Sequence, residues 1–306
     1  MRLCCTSYLT GSDKLPPLTM RILLTGSSGF IGQHLMERLR TAHDVTPYDL
    51  EMGDDVRDRL KLEKLFEVCN FDLVLHLAAL TGVRRGELYP EEYISTNVMG
   101  TKNIVDLCEK YAVPHLINFS SSSVYGVSGQ DPITEEHRCK PVSIYGMTKW
   151  FAEQLVKRSS IPFTTTIRPF TVYGEHGRQD QVLFKWINQY RAGKPVTFYG
   201  DGSSGRGYTY VGDLLDGLEL LIERRAMLTQ HLTLNLGGDR LVTLRELHDL
   251  CSSVMKDVQT DYRDLPPGDQ MYNLGDTELA RHLLGWKATT NFKEKVLTIL
   301  HDELLH

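Results

Sequence analysis

The residues with the clearest chemical potential lie in "SIYGMTKW", which sets Tyr145 and Lys149 four apart on one helical face. A phenol titrates near pH 10 and is a poor base at neutral pH. A neighbouring ammonium, joined by the charge of an oxidised nicotinamide, stabilises the phenolate and brings Tyr145 into working range. Upstream, "HLINFSSSSVYG" ends an apolar strand in Ser120, Ser121, Ser122 and Ser123. Such residues are poor strand formers, and satisfying turn backbone is the plain explanation for them. A serine hydroxyl there is also placed to bond the oxygen that Tyr145 deprotonates. Base, tuner, orienting donor and hydride acceptor together make alcohol-to-ketone redox chemistry.

The acceptor has its own signature. "TGSSGFIG" spaces Gly26, Gly29 and Gly32 between an apolar strand and a helix. Glycines in that setting permit the tight turn, the approach of backbone to a pyrophosphate, and close helix–sheet packing. Ser28, Phe30 and Ile31 belong to the same turn, where the helix N-terminus offers free N–H groups to phosphate. Asp49 follows Gly32 by 17 residues, at the end of the second strand. A carboxylate there accepts from both ribose hydroxyls and repels a 2′-phosphate; no Arg or Lys adjoins it, which favours NAD over NADP. Asp55 and Val56 are candidates for the adenine edge. Bland readings stand beside these: a connecting turn, a solvated strand-end Asp, a surface Tyr–Lys pair.

The elements that must position these residues alternate. "MRILLT", "DVTPYD", "DLVLHLAA", the serine strand and "FTTTIRP" read as strands. Between them lie helices in "FIGQHLMERLRTA", in "RLKLEKLFEVC", over 91–111, and in "IYGMTKWFAEQLVKR". The pattern predicts an α/β chain, a Rossmann-type doubly wound parallel sheet covered on both faces. Its NAD-binding domain spans 20–170. Residues 171–306 form a smaller C-terminal α/β substrate domain, with 208–237 a segment that packs back on the first. Residues 1–19 read as a flexible N-terminal extension, with no sustained apolar run of a signal peptide.

Composition narrows the function classes. Net charge is −5 with no basic block, which argues against nucleic acid. No apolar run approaches the roughly 20 residues that span a bilayer. Six cysteines are scattered with no C-x-x-C pair, the pattern of reduced thiols in the cytoplasm, with no metal site expected.

In sequence order, "TGSSGFIG", "HLAA", "NVMGTKN", "SSSSVYG", "YGMTK", "IRPFTVYG", "YTYVGD" and "PPGD" resemble the extended short-chain dehydrogenase/reductase family, in its nucleotide-sugar epimerase branch. The resemblance covers nearly everything after Met20. "AALTGVR" and "FTVYGEHGRQD" are most like the UDP-glucuronate 4-epimerases. It implies Tyr145 as acid/base, Lys149 as its tuner and a ligand of the nicotinamide ribose, and Ser121 and Ser122 as catalytic partners. Leu77, Ala78, Ala79, Asn97 and Ser120 would line the cofactor. Thr81, Gly82, Arg84, Ser123, Thr171, Arg178, Phe198, Arg206 and Asp269 would hold a UDP-sugar. Of these, Arg206 serves the diphosphate, Asp269 the uridine ribose, and Arg178 with Arg84 the sugar carboxylate.

The implied reaction is NAD-dependent 4-epimerisation through a transient 4-keto sugar, in a homodimer joined by the helices over 91–111 and 145–158. Dehydratase relatives need Asp–Glu where this chain has Ser122 and Ser123. A UDP-glucuronate decarboxylase, another UDP-hexose 4-epimerase and a non-catalytic NAD sensor are the alternatives. The sequence departs from the family at Gly207 and Gly212, where relatives carry Asp, at "EHG" in place of Pro-Trp-Gly, and in the short stretch between Asp49 and Asp55.

Overall fold

Residues 22–24 and 73–76 are buried on both faces, as apolar runs must be in a sheet covered by helices on each side. The computed structural model describes residues 19–225, 230–265 and 271–305. Asp269 and nearly all of the expected N-terminal extension lie outside them.

The chain opens with β1 (Arg21–Thr25), α1 (Phe30–Leu39), β2 (Asp44–Tyr48), α2 (Arg59–Val68) and β3 (Leu73–His76). Then α3 (Val83–Leu88) and α4 (Pro90–Tyr93) lead through a π-helical turn, Ile94–Gly100, into α5 (Thr101–Lys110). β4 (His115–Phe119), α6 (Ile144–Lys157) and β5 (Phe163–Pro169) complete the first half. The second half begins with β6 (Val172–Tyr173), α7 (Val182–Arg191), β7 (Val196–Tyr199), β8 (Gly205–Gly207), β9 (Thr209–Tyr210) and α8 (Val211–Arg224). It continues with β10 (His231–Leu236), β11 (Leu241–Thr243), α9 (Leu244–Val254) and β12 (Thr260–Arg263). It ends with β13 (Tyr272–Asn273), α10 (Glu278–Leu284) and α11 (Phe292–Leu305).

Six strands form one parallel sheet in the order β2-β1-β3-β4-β5-β10. The chain runs outward from β1 to β2 on one side and returns to β3 on the other. The crevice at the strand ends between β1 and β3 is where such sheets bind ligands. Pro47 is tolerated because β2 is an edge strand, where a missing N–H costs no ladder bond. Side chains alternate across the sheet. Ile22, Leu24, Leu75 and Ile117 face Leu35 and Leu39 of α1 and Leu214 and Leu218 of α8. Leu23, Val74 and Leu116 face Leu62 and Phe66 of α2, Ile104 of α5 and Val156 of α6. A third core joins Trp186 of α7, Phe198 of β7, Leu247 of α9 and Val296 of α11. Thus α8 and β10, late in sequence, belong to the first sheet.

Two elements differ from the sequence reading. The helix expected over 91–111 is three pieces, because the π-helical turn presents Asn97 inward to grip the backbone of Leu80. The strand expected to reach Ala79 stops at His76, where the Ala78 N–H leaves the ladder for the Thr25 hydroxyl (3.3 Å).

Candidate active site

At the strand ends a cleft of about 1220 Å³ opens between the sheet and the second half. Its floor is the glycine turn. Gly26 has φ +74°, and a Cβ there would lie 2.6 Å from the Ala78 nitrogen. A Cβ on Gly32 would lie 2.0 Å from the Gly26 carbonyl oxygen. Only glycine fits either place, so α1 starts hard against β1 with its N-terminus facing the cleft. Asp49 lines the rim, its two carboxylate oxygens accepting from the N–H groups of Ser28 and Glu51, each at 2.9 Å. A carboxylate has about four lone-pair sites, so capacity for ribose hydroxyls remains. Beside it Arg57 pairs with Asp55 through two nitrogens, holding that carboxyl below its usual range. Sequence spacing had put no cation at this rim; the tight turn after Asp55 brings Arg57 there.

The helix that carries Tyr145 and Lys149 is aimed by its start. The Ser143 hydroxyl caps α6 by accepting from the Gly146 N–H (3.1 Å), which sets Tyr145 in the first turn. Burial pushes the Tyr145 phenol up; the Arg178 charge and a hydrogen bond with Ser121 pull it back. Phenol and serine are therefore paired at the foot of the cleft. The Ser121 hydroxyl also donates to Ser123 Oγ and accepts from the Ser123 N–H, both at 3.1 Å. Lys149 is buried, and burial brings it down to about 8, opposed by the Glu153 carboxylate. Arg178, from the loop before α7, is a cation acting on the phenol.

A chain of hydrogen bonds ties this helix to the cofactor side. The Ala78 N–H donates to Thr25 Oγ1, and that hydroxyl lies 2.8 Å from His76 Nδ1. Thr101 donates to the Asn97 carbonyl (2.6 Å), so it accepts from His76 Nε2–H (2.9 Å). That order assigns the imidazole tautomer. Asn97 Nδ2 then donates to Thr148 Oγ1 (3.0 Å), whose hydroxyl donates to the Tyr145 carbonyl (2.8 Å). His76 is wholly buried, which lowers it to about 3 and keeps it neutral.

Most of the residues singled out in the sequence meet at this cleft. Gly26, Gly29, Phe30, Ile31, Gly32, Asp49, Asp55, Val56, Leu77, Ala78, Ala79, Thr81, Gly82 and Arg84 line it. So do Ser120, Ser121, Ser122, Ser123, Tyr145, Lys149, Thr171, Arg178 and Arg206. Asn97 sits behind the wall as a brace, and Ser28 meets Asp49 through its backbone. Phe198 does not reach the cleft. It is buried in the third core, stacked on Trp186 with centroids 6.4 Å apart, because its strand turns that side inward. The Ser122 hydroxyl accepts from Asn273 Nδ2 of β13 at 2.9 Å. Asn273 went unnoticed in the sequence, since a two-residue strand leaves no periodic signal; pairing with Arg206 of β8 brings it in.

Arg178 is held by Asp180 (3.0 and 2.5 Å), and Arg84 reaches the Tyr199 hydroxyl (3.3 Å) and ring. The departure at "EHG" is an anchor. Glu175 pairs with Lys295 (2.5 Å) and accepts from the Tyr210 hydroxyl (3.0 Å), fixing the loop that carries Arg178.

Residues 22–237 match the NAD dependent epimerase/dehydratase family. The chain belongs to it. A relative from Rhizobium meliloti (strain 1021), named "Probable UDP-glucuronate 4-epimerase", is 33% identical over 229 residues, 65% of this chain and 67% of that protein. The structure of MoeE5 in complex with UDP-glucuronic acid and NAD superposes with a TM-score of 0.84 at 31% identity, covering 92% of this chain and 98% of that one. UDP-glucuronic acid 4-epimerase from Bacillus cereus, in complex with UDP-glucuronic acid and NAD, gives 0.84 at 28% identity, covering 92% and 99%.

This member of the family is an NAD-dependent epimerase, and its cofactor is NAD. The cradle fits that group: the glycine turn admits no side chain at Gly26 or Gly32, so backbone N–H groups face the cleft, and the Ser120 hydroxyl at its wall is buried without a hydrogen-bond partner among the described residues. Among the described residues, no helix is long and apolar enough to cross a membrane, and no cluster of three or more His, Cys, Asp or Glu could hold a metal ion.

Proposed function

We propose that the substrate is UDP-glucuronate and the product UDP-galacturonate. The observation that carries this reading is the Arg178 guanidinium, which lines the same cleft as Tyr145 and is held there by Asp180. A cation there suits a sugar carboxylate on the carbon next to the reacting one, and guanidinium binds carboxylate through paired hydrogen bonds. Arg206 and Arg84, also at the cleft, suit the diphosphate and the carboxylate rim. The relatives named for UDP-glucuronate add to the case.

NAD, when bound, supplies the acceptor and donor of hydride at sugar C4. Tyr145 takes the C4 hydroxyl proton, and the Ser121 hydroxyl, turned from Ser123 Oγ, donates a hydrogen bond to the same oxygen. Lys149, as ammonium, stabilises the phenolate and binds the nicotinamide ribose. The 4-keto sugar turns about its diphosphate linkage, and Tyr145 returns the proton to the oxygen of the inverted carbon. Ser122 and Ser123 have no acid/base capacity at neutral pH, so elimination of water is not supported.

We further infer a cytoplasmic homodimer. Exposed Ile94, Met99, Met147, Trp150 and Phe151 make an apolar patch across the π-helical turn and α6, the kind of surface that marks a partner. Free Cys69, Cys108, Cys139 and Cys251 suit a reducing compartment.

The test is to incubate the protein with UDP-glucuronate, UDP-glucose and UDP-N-acetylglucosamine in turn and resolve the products by NMR. UDP-galacturonate from the first is the expected outcome. A UDP-pentose would make the enzyme a decarboxylase, and turnover of only the neutral sugars would remove the carboxylate from recognition.

A further inference from the structure

Glu153 lies one helical turn beyond Lys149 on α6. Arg168 of β5 holds both of its oxygens, Nε to Oε1 at 2.9 Å and Nη2 to Oε2 at 2.6 Å. The two side chains are 5% and 8% exposed. Arg168 also donates to the Tyr125 hydroxyl (3.0 Å) and the Glu135 carbonyl (3.3 Å), and lies 4.8 Å over the Tyr125 ring. Tyr125 donates to Asn235 Oδ1 of β10 (2.6 Å), and the Asn235 N–H donates to Glu135 Oε1 (2.8 Å). The network therefore runs from the catalytic helix across two strands and two loops. Stability alone does not account for it, because apolar residues of similar volume commonly serve a core as well as a buried ion pair does.

One helical turn from the pair stands Lys149. Residues four apart on a helix stack on one face, and the ammonium, itself buried, feels the Glu153 charge. We propose that Glu153 is a positioning residue of the reaction: held rigid by Arg168 one helical turn from Lys149, its carboxylate keeps that side chain an ammonium at the foot of the cleft. The proposal rests on the reading that Tyr145 and Lys149 do the proton chemistry.

The other charges around α6 do not substitute for it. His76 of β3 faces Lys149 but is neutral. Tyr93 of α4 meets Tyr145 edge-on, and Glu87 of α3 accepts from the Ile144 N–H at the helix start. On α5, Asp106 pairs with Arg59 and Lys102, and Glu109 accepts from Ser160. Without the Glu153 charge, burial would carry Lys149 further down. The ammonium would be lost at a lower pH, and with it the stabilised phenolate.

The experiment is the pH profile of kcat/KM for wild type, Glu153→Gln and Glu153→Asp. Wild type should lose activity on an alkaline limb near pH 8. Glu153→Gln should move that limb at least about half a unit to lower pH and cut kcat roughly tenfold at pH 7.5, with KM changed less than about threefold. Glu153→Asp should recover part of both. Should the unpaired Arg168 prevent Glu153→Gln from folding, the same limb is read in Glu153→Gln/Arg168→Met, which buries no lone charge. A folded variant without the Glu153 carboxylate that keeps the wild-type limb overturns the proposal. A wild-type profile with no alkaline limb would instead overturn the assignment of Lys149 itself.

Discussion

At the scale of single residues, the chemistry turns on a phenol that burial makes hard to ionise. Burial raises Tyr145, and Arg178 and Ser121 offset it. Tyr145→Phe should therefore abolish turnover, by about a thousandfold or more, while NAD stays bound. Nucleotide released on denaturation checks the second half, and retained activity would take Tyr145 out of the mechanism. Arg178→Met separates recognition from chemistry. KM for UDP-glucuronate should rise about tenfold or more, against little change for UDP-glucose. An equal rise for both sugars would show that Arg178 serves something common to them. The glycine turn, Tyr145, Lys149 and the serines were legible in sequence because each stands at fixed spacing from an apolar run. Asn273 and Arg57 were not, since each reaches the cleft through a contact that no local period encodes.

At the scale of elements, neutral buried histidines fasten the sheet. His76 bridges Thr25 and Thr101, and His115 of β4 packs against Phe163 and Thr165 of β5. Burial lowers them to about 3 and about 4, from 6.5 in the open chain. Between those limits the unfolded chain binds more protons than the folded one. Stability should thus fall as pH drops below 6.5, by about 2 kcal/mol per histidine at pH 5. Urea unfolding of wild type and His115→Asn at pH 7 and pH 5 checks this. The variant should lose about 2 kcal/mol less on acidification, and an equal loss in both would contradict it. The strand–helix alternation of the first half was readable because parallel strands buried on both faces show as unbroken apolar runs. The break in the helix over 91–111 was hidden: a π-helical turn keeps the apolar spacing nearly intact, and only the Asn97–Leu80 contact explains it. Phe198 misled for a related reason. An aromatic in a short strand reads the same whether it faces a cleft or, as here, the Trp186 ring.

At the scale of the whole molecule, two halves meet at one cleft, the first holding the glycine turn and Tyr145, the second bringing Arg178, Arg206 and Asn273. The apolar patch on α6 and the π-helical turn lies on the first half. Phe151→Asp should convert a dimer to a monomer in light scattering, and a monomeric wild type would remove that surface from the account. The central claim, that the sugar is oxidised and reduced at one carbon within one cleft, is tested most directly with UDP-glucuronate deuterated at C4. Its conversion would be followed by NMR without added NAD. Oxidation and return through the bound cofactor predict UDP-galacturonate with the deuterium still on C4. Loss of the label to water, or no conversion at all, would contradict it.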